Sequence, residues 1–516
     1  MLFVLFSILT VGAYGSFNIL PVVPFPQEAE MFSTNRRSLN VEEFRITTDQ
    51  GHLLEDKVIS STINRYQHYF SRFKPGPLSP DGDITQVSLS VVYPEASLFI
   101  GVNESYTLNI DPHSPIVKLS ANTRFGVIRG LETFYQLYNI TDGTFPSVKI
   151  RDYPRFAYRG FLIDTSRHFL PVESIEMVIT GLAMAKFNVL HWHIVDDPSF
   201  PYYSPSFPSL SEKGAYDSNH VYRIFDVLRV ISFAENHGIV VVPEFDTPGH
   251  TLSWGKGLEN FLTYCPGQGT FGGDYGPINP SVDSNYEVLH KLLAEVTSLF
   301  PGGFVHLGGD EVPFKCWQSN QDLVAWMKQQ GIQTFNDLES YYEEKLLDIV
   351  HQLNTSYVVW EEIFNNGLHI QPDTIIHVWK GKWEDTMGKV IKAGYKTILS
   401  SPWYLNYISF SMDWKKYYQV EPYKIPGATP EELSLVIGGE ACMWGEFVDA
   451  TNILSRTFPR ASAVAERLWS SEKQTNIGDM EFRLNKHRCG MCARDIPAET
   501  ILLRSYCPVE FDGYDW

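Results

Sequence analysis

Two adjacent acids at the end of an apolar run are the residues of this sequence best placed to do chemistry. The apolar run 304–307 is followed by Gly308-Gly309 and then by Asp310-Glu311. A short apolar run bounded by glycine indicates a buried strand that ends there, and glycine lets another group approach closely. Neighbouring acids repel each other, so one can stay ionised while the other keeps a proton to donate. Taken alone, the pattern is also that of an ordinary polar strand end.

Apolar runs of this kind recur from Arg159 onward. They are 161–163, 189–195, 239–245, 304–307, 357–360, 374–379, 397–403 and 435–444, with helical periodicity between most of them, as at 172–186 and 286–300. Strand and helix alternating eight times predict a closed parallel (β/α)8 barrel, or TIM barrel, in the α/β class. A doubly wound open sheet is the competing fold, but no glycine-rich phosphate loop follows a first strand.

The carboxyl ends of such strands meet at one face of a barrel, which is where barrel enzymes carry their active sites. Polar and aromatic residues occupy these ends: Asp196, Asp246, Asp310, Glu311, Glu446, Arg167, Trp360, Trp379, Trp444 and Tyr404. Acids and an arginine can bind hydroxyl groups, and flat aromatic faces pack against the apolar face of a pyranose. The set therefore predicts a sugar pocket in which two carboxyl groups cleave a glycosidic bond.

Metal ligation and nucleophilic catalysis are the alternative chemistries. His191, His193 and Asp196 have the residue types of a metal site, but alternate positions facing a barrel interior give the same pattern through packing. Ser166 lacks the Gly-x-Ser-x-Gly setting of a nucleophile, and Cys442 lies in an apolar run where a thiol is buried and inert. We expect neither a metal ion nor another cofactor.

Length and charge restrict the organisation and the partners. A chain of 516 residues fits a barrel plus a smaller companion domain, and its net charge of −19 argues against a nucleic-acid partner. We expect a signal peptide at 1–15, a small α/β domain at 16–150 and the catalytic barrel at 151–516. No later stretch is long and apolar enough to span a membrane.

The secretory route is predicted by three features of the sequence. The apolar run 2–9 precedes Ala13-Tyr14-Gly15-Ser16, a small-x-small cleavage site near Gly15. Asn103, Asn139 and Asn354 begin glycosylation sequons. Six cysteines are present, and in an oxidising compartment some of them should pair. Cys489 and Cys492 have the spacing of a redox or zinc motif but no matching second pair of ligands. We expect one of these two to bond to Cys507.

Four stretches resemble family 20 glycoside hydrolases. They are RGFLIDTSRH at 159–168, NVLHWHIVDD at 188–197, HLGGDEV at 306–312 and GGEACMWGE at 438–446. The likeness runs from about residue 120 to the C-terminus, and the first hundred residues resemble the family's small α/β domain only loosely. It is strongest to the lysosomal-type β-N-acetylhexosaminidases of animals. The resemblance implies a β-N-acetylhexosaminidase that removes terminal non-reducing GlcNAc or GalNAc.

The resemblance also implies a substrate-assisted mechanism, in which the sugar's 2-acetamido oxygen attacks C1 and forms an oxazolinium. Glu311 would be the general acid and then the base, and Asp310 would orient the acetamido group. The other implied roles are Tyr404 on the acetamido oxygen, Trp360, Trp379 and Trp444 as walls, Arg167 with Glu446 on the ring hydroxyls, and Asp196 with His250 around Glu311. Asn406 belongs to the same substrate-binding set.

Departures from the family refine these expectations. Tyr407 follows Asn406 where family members that read anionic sugars have an arginine, so neutral GlcNAc and GalNAc ends are favoured. Cys265 and Cys316 match a family disulfide, Cys492 is additional, and the family's N-terminal disulfide is lacking. The family implies homodimers and lysosomal or secreted location, with glycoproteins, glycolipids or chito-oligosaccharides as substrates. Alternative functions are an inactive carbohydrate-binding protein on this scaffold and a related activity that releases disaccharides.

Overall fold

The computed structural model describes residues 20–72, 83–368, 370–409 and 412–507. The predicted signal peptide at 1–15 lies outside this range. The N-terminal part contains strands β1 (Glu28–Ser38), β2 (Arg45–Thr48), β3 (Gln86–Tyr93), β4 (Tyr106–Ile110), β5 (Ile116–Thr123) and β6 (Thr144–Asp152), and helices α1 (Lys57–Ser71) and α2 (Arg124–Leu137). In the described residues, no helix is both long enough and apolar enough to cross a membrane.

The N-terminal strands form one mixed sheet in the order β1-β6-β4-β5-β3-β2. Strand β5 alternates buried Val117, Leu119 and Ala121 with more exposed positions, so one face of the sheet is apolar. Helix α2 packs against β4 and β5 on that face. The hydroxyl of Thr123 caps this helix by accepting a hydrogen bond from the Phe125 N–H. These elements form the smaller α/β domain that the sequence predicts.

The rest of the chain is built around a closed parallel barrel. Its strands are β7 (Tyr158–Asp164), β8 (Val189–Val195), β9 (Val240–Phe245), β12 (Phe304–His306), β13 (Ser356–Trp360), β14 (Ile375–Val378), β15 (Lys396–Leu399) and β16 (Val436–Met443), and the hairpin β10 (Leu262–Tyr264) and β11 (Tyr275–Ile278) lies between β9 and β12. Strand β16 pairs with β7 and closes the ring. The predicted (β/α)8 barrel is confirmed, and the competing open sheet is wrong.

Helices alternate with these strands. They are α3 (Val172–Met184), α4 (Ser209–Gly214), α5 (Ile224–Glu235), α6 (Trp254–Gly257), α7 (Asp283–Leu299), α8 (Phe314–Ser319), α9 (Gln321–Gln330), α10 (Phe335–Gln352), α11 (Glu361–Asn365), α12 (Trp383–Lys392), α13 (Trp414–Tyr418), α14 (Pro430–Leu433), α15 (Ile453–Thr457), α16 (Arg460–Trp469) and α17 (Ile477–Cys492). The predicted run 397–403 ends as a strand at Leu399, because the Trp403 N–H donates to the Ser400 carbonyl and turns the chain.

The barrel interior is layered along its axis. Apolar side chains that include Val189, Val240 and Val358 form one layer, and His191 with other buried polar groups lies above it. Intervening residues of β8, such as Trp192, belong instead to the large apolar cluster that also contains side chains of the surrounding helices. This alternation explains why His191 and His193 share one side of β8: successive side chains of a strand point to opposite faces.

A buried ion-pair cluster joins the two parts of the chain. Glu104 of the smaller domain accepts hydrogen bonds from Arg129 Nε at 2.8 Å and from Arg159 Nη2 at 2.5 Å. Arg159 lies on β7, and Arg129 also donates to the carbonyls of Phe187 and Gly238 in the barrel. The side chains of all three charged residues are at most 2% exposed. The domains are therefore expected to lose their structure together.

We expect Glu104→Ala to lower the free energy of unfolding by about 3–5 kcal/mol, because removing one partner of a buried ion pair leaves uncompensated charge. Urea unfolding followed by circular dichroism measures the change. The matched control is Glu28→Ala, since Glu28 pairs with Arg151 at 3.0 Å but both side chains are more than half exposed. That variant should lose less than about 1 kcal/mol. Equal losses in the two variants would contradict the assignment.

Candidate active site

The turn after β12 places the two adjacent acids. Gly308 and Gly309 have φ angles of +73° and +94°, in the left-handed region that favours glycine. A Cβ on Gly308 would lie 1.7 Å from Asp246 Oδ1, so no other residue fits at this position. The Gly309 N–H donates to the same Asp246 oxygen at 3.0 Å. The glycine pair thus brings the end of β12 against the end of β9.

Asp310 and Glu311 differ in their surroundings although they are neighbours. The side chain of Asp310 is 11% exposed, whereas that of Glu311 is 59% exposed. Asp310 Oδ1 is buried and accepts no hydrogen bond from the described residues. Glu311 has a φ of +50°, an uncommon conformation for a residue with a side chain and one found at functional sites. One acid is therefore held inside the site while the other faces solvent.

Asp246 is a second buried carboxyl group that interacts with Asp310. Burial and the neighbouring carboxylate of Asp310 raise the pKa of Asp246 well above its usual range. Burial also raises the pKa of Asp310, but less far, because the charge of His250, which acts on both acids, is joined by a hydrogen bond with Asp246 that lowers the pKa of Asp310. Asp246 is accordingly the member of the pair that holds the proton, and Asp310 the member that can carry a negative charge.

His250 lies between the acid pair and Asp196. Its Nε2 is 3.9 Å from Asp310 Oδ2 and 3.8 Å from Glu311 Oε2. Its Nδ1 is 3.2 Å from Asp196 Oδ1. Burial opposes the charged imidazole, but the carboxylates of Asp196 and Asp246 raise the pKa of His250 well above its usual value. A cation thus faces both members of the acid pair.

Arg167 contacts the carboxylate oxygen of Asp196 that His250 does not contact, and it also pairs with Asp164. Its Nη2 lies 2.9 Å from Asp196 Oδ2, and its Nη1 lies 3.1 Å from Asp164 Oδ2. The guanidinium stands 5.1 Å from the centre of the Trp444 ring. Its side chain is 17% exposed, so the group is fixed by two carboxylates and still reaches the surface of the site. Such an arrangement can donate hydrogen bonds to hydroxyl groups in one defined orientation.

Aromatic rings form the wall of the site. Trp360, Tyr404 and Trp444 belong to one buried cluster, against which the partly buried Trp379 packs. Trp379 stacks on Tyr404 with ring centres 6.3 Å apart, and its indole N–H donates to Glu362 Oε2 at 3.0 Å. These rings come from the ends of four different strands, as the sequence predicts.

Three further residues lie at the rim. Asn406 is half-buried, and its side-chain oxygen accepts no hydrogen bond from the described residues. Tyr407 is 65% exposed and stacks on Tyr404 with ring centres 5.7 Å apart. Glu446 is exposed, and its charge acts on Arg167. The structure therefore brings the predicted catalytic and substrate-binding residues to the carboxyl end of the barrel.

Three groups of side chains have the composition of a metal site among the described residues: His191, His306 and His377; Asp196, Asp197 and His250; and Asp246, His250 and Asp310. His191 in the first group lies 2.8 Å from Glu440 and 3.0 Å from Glu244. Burial opposes its charge, but these two carboxylates raise the pKa of His191 to about 10. A metal needs a neutral imidazole, so these contacts favour an ion-paired histidine.

Two disulfides are present, Cys265–Cys316 and Cys489–Cys507. The second answers the question that the sequence leaves open, since Cys489 rather than Cys492 bonds to Cys507. Cys316 lies on α8, which begins three residues after Glu311, and Cys265 follows β10 directly. The first disulfide therefore ties the segment after the acid pair to the β10–β11 hairpin.

We expect the double variant Cys265→Ser/Cys316→Ser to lose about 4 kcal/mol of stability, because its disulfide closes a loop of 51 residues. It should also lose catalytic efficiency, since the segment after Glu311 is no longer tied down. Urea unfolding and kcat/KM at a low temperature measure the two effects.

The matched control is Cys489→Ser/Cys507→Ser, whose loop spans 18 residues and ties α17 to the C-terminal segment. It should lose about 3 kcal/mol of stability and keep its activity at that temperature. A similar loss of activity in both double variants would show that stability alone explains the effect.

Some residues that build the site were not assigned from the sequence. Glu244 on β9 accepts hydrogen bonds from the Trp360 indole at 3.0 Å and from His193 at 2.6 Å. Glu362 holds the Trp379 indole, and Lys380 donates to Glu362 at 2.6 Å. Their signal in the sequence was their position at the ends of apolar runs. Their partners depend on the register between strands.

The fold and these contacts define a class of protein. A parallel barrel carries two carboxyl groups at the carboxyl ends of its strands, beside an arginine and a wall of aromatic rings. This is the construction of a barrel enzyme that cleaves glycosidic bonds.

Comparison with known families identifies the particular family. Residues 156–472 match the family model described as "Glycosyl hydrolase family 20, catalytic domain", and residues 22–137 match the model "beta-acetyl hexosaminidase like". The chain belongs to glycosyl hydrolase family 20. The resemblance seen in the sequence is therefore confirmed, including for much of the N-terminal part, where it was loose.

Curated relatives extend over most of the chain. It is 48% identical to the beta-hexosaminidase subunit beta of Felis catus, over 88% of this chain and 87% of the relative. It is 46% identical to the human subunit beta, over 87% and 83%. Mouse beta-hexosaminidase subunit alpha is 48% identical, over 82% and 81%. Among solved structures, a chitobiase of Flavobacterium johnsoniae superposes with a TM-score of 0.79 at 26% identity, covering 92% of this chain and 73% of that chain.

Proposed function

We propose that this protein is an exo-acting, retaining β-N-acetylhexosaminidase that removes terminal non-reducing GlcNAc and GalNAc. The observation that carries the proposal is the Asp310-Glu311 pair, in which a buried carboxyl adjoins an exposed one, and the buried Oδ1 has no hydrogen-bond partner in the part of the chain that the structure describes. Two acids in such different environments can do different work on one sugar. The relatives called beta-hexosaminidase support the same activity.

The reaction runs in two steps. Glu311 gives its proton to the leaving oxygen while the carbonyl oxygen of the 2-acetamido group attacks C1, and the C1–O bond breaks. Asp310 accepts a hydrogen bond from the acetamido N–H and stabilises the positive charge of the oxazolinium. The Glu311 carboxylate then takes a proton from water as the water oxygen adds to C1. The bond from C1 to the acetamido oxygen breaks, which opens the oxazolinium ring and retains the configuration at C1.

The remaining residues hold the sugar in place. Trp360, Trp379 and Trp444 enclose the acetamido group and the ring, and Tyr404 donates its hydroxyl proton to the acetamido oxygen. Arg167 with Glu446 binds the hydroxyls at O3, O4 and O6, and Asn406 lines the pocket beside them. Asp196 and His250 lie around Glu311, which the 3.8 Å distance from His250 Nε2 to Glu311 Oε2 supports.

Neutral sugar ends are the favoured substrates. Tyr407, an uncharged residue, follows Asn406 at the rim and is 65% exposed. It offers a flat aromatic face and no cation for a sulfate or carboxylate group. Glycoproteins, glycolipids and chito-oligosaccharides all supply such ends, and pocket depth separates removal of one sugar from release of a disaccharide.

The same proposal includes the cellular route of the protein and its oligomeric state. Residues 1–15 serve as a signal peptide, 16–150 form the small domain and 151–516 the catalytic barrel. Glycans attach at Asn103, Asn139 and Asn354, of which Asn103 and Asn354 are exposed. The two disulfides support a secretory route that ends in the lysosome or outside the cell, and the assembly is a homodimer.

The test uses the purified full chain with 4-nitrophenyl β-GlcNAc, its 6-sulfate and chitobiose at several pH values. We expect release of single neutral sugars with retained configuration at C1, weak activity on the sulfate, and inhibition by a thiazoline mimic of the cyclised sugar. Binding of GlcNAc without turnover would instead indicate an inactive carbohydrate-binding protein. Disaccharides as the first product of longer chains would indicate the related activity.

A further inference from the structure

Glu244 is a buried carboxylate that touches the site only through other residues. It lies on β9 and is 0% exposed. Its Oε1 accepts the indole N–H of Trp360 at 3.0 Å, and its Oε2 lies 2.6 Å from His193 Nδ1 and 3.0 Å from His191 Nε2. Burial opposes ionisation, but the imidazoles of His193, His306 and His191 hold the pKa of Glu244 well below its usual range. The group is therefore an anion surrounded by donors.

The first branch of these contacts leads to the aromatic wall. Trp360 is completely buried, and its ring centre lies 6.3 Å from that of Trp379 and 6.1 Å from that of Trp444. An indole has a single N–H donor, and in Trp360 that donor is bonded to Glu244. The carboxylate thus fixes the rotation of a buried ring that supports Trp379 and Trp444, the two tryptophans of the wall that are less completely buried.

The second branch leads to the polar side of the site. His193 lies between two carboxylates, with Nδ1 on Glu244 and Nε2 at 2.7 Å from Asp196 Oδ2. Burial opposes its charge, but Glu244 and Asp196 raise the pKa of His193 to about 10, so both ring nitrogens carry protons. Asp196 in turn holds Arg167 at 2.9 Å and His250 at 3.2 Å.

We propose that Glu244 is a positioning residue with two effects on the sugar site. Through Trp360 it positions the aromatic wall for the acetamido group. Through His193 and Asp196 it positions Arg167, which binds the hydroxyls, and His250, which faces Glu311. This inference rests on the proposed function and deepens it. One carboxylate couples the two halves of the sugar site, so the cyclised sugar is bound tightly only when both branches are intact. Misplacement of reacting groups by 1 Å can cost about 10²-fold.

The experiment compares Glu244→Gln with Glu440→Gln. Glu440 is a matched control because it is also 0% exposed and lies 2.8 Å from His191, but its other close contact is the Tyr158 hydroxyl at 2.6 Å, at the start of β7. We expect Glu244→Gln to lower kcat about 100-fold and thiazoline affinity about as much, with the affinity for GlcNAc reduced less than about tenfold. Glu440→Gln should stay within about threefold of the parent protein in all three quantities.

Each outcome decides the matter. Equal losses in the two variants, or none in Glu244→Gln, would overturn the inference, whereas a parent protein without hexosaminidase activity would overturn the proposed function itself. If Glu244→Gln does not accumulate as folded protein, Glu244→Asp carries the test, since it keeps the carboxylate but is one methylene too short to hold Trp360 and His193 as Glu244 does. It should lower thiazoline affinity about tenfold, and an unchanged affinity would overturn the inference.

Discussion

Glu311→Gln is expected to lower kcat/KM on chitobiose by about 10³-fold. The amide can neither give a proton to the leaving oxygen nor take one from water, and general acid–base catalysis contributes about 10² to 10⁴-fold. Binding should change little, because the Glu311 side chain is 59% exposed and its removal disturbs no packing. Isothermal titration with GlcNAc and steady-state kinetics measure the two quantities separately.

The leaving group supplies the control for this variant. 4-Nitrophenolate departs without receiving a proton, whereas a sugar hydroxyl requires one, so the first step should suffer far less on 4-nitrophenyl β-GlcNAc than on chitobiose. A burst of 4-nitrophenol should then appear before slow hydrolysis of the cyclised sugar. Equal losses on both substrates, without a burst, would remove Glu311 from the role of proton donor.

Asp310→Asn should lower kcat by about 10² to 10³-fold, the range seen when a group that stabilises transition-state charge is removed. The asparagine keeps the shape of the side chain but loses the negative charge that faces the oxazolinium. The thiazoline mimic should lose affinity in parallel with kcat, while GlcNAc affinity falls less. Unchanged turnover would refute the role assigned to Asp310.

Stability and pH dependence separate this role from a structural one. Burial raises the pKa of Asp310, so its negative charge is costly to the folded state when pH lies above that pKa. The stability of the parent protein relative to Asp310→Asn should therefore fall as pH rises, and the variant should be at least as stable at neutral pH. Asp310 is needed as an anion, so activity of the parent should fall as pH drops through the raised pKa. Urea unfolding at pH 5 and pH 8 tests the first statement.

The barrel and its acid pair were predictable because each depends on local pattern. An apolar run of three to ten residues followed by polar groups appears eight times, and Gly308-Gly309 before two acids indicates a tight turn. The contacts of Glu244 were not predictable, because they depend on the register of β8, β9 and β13 in the closed barrel. The choice between Cys489 and Cys492 depends on which side of α17 faces the C-terminal segment.

The exposure of Glu311 has a consequence for the catalytic cycle. Because this carboxyl lies in contact with bulk water while Asp310 is enclosed, the water that returns a proton to Glu311 in the second step can come directly from solvent. No internal water wire has to open between turnovers. A carbodiimide with a small amine should accordingly label Glu311 before Asp310, and prior occupation of the pocket by GlcNAc should slow that labelling.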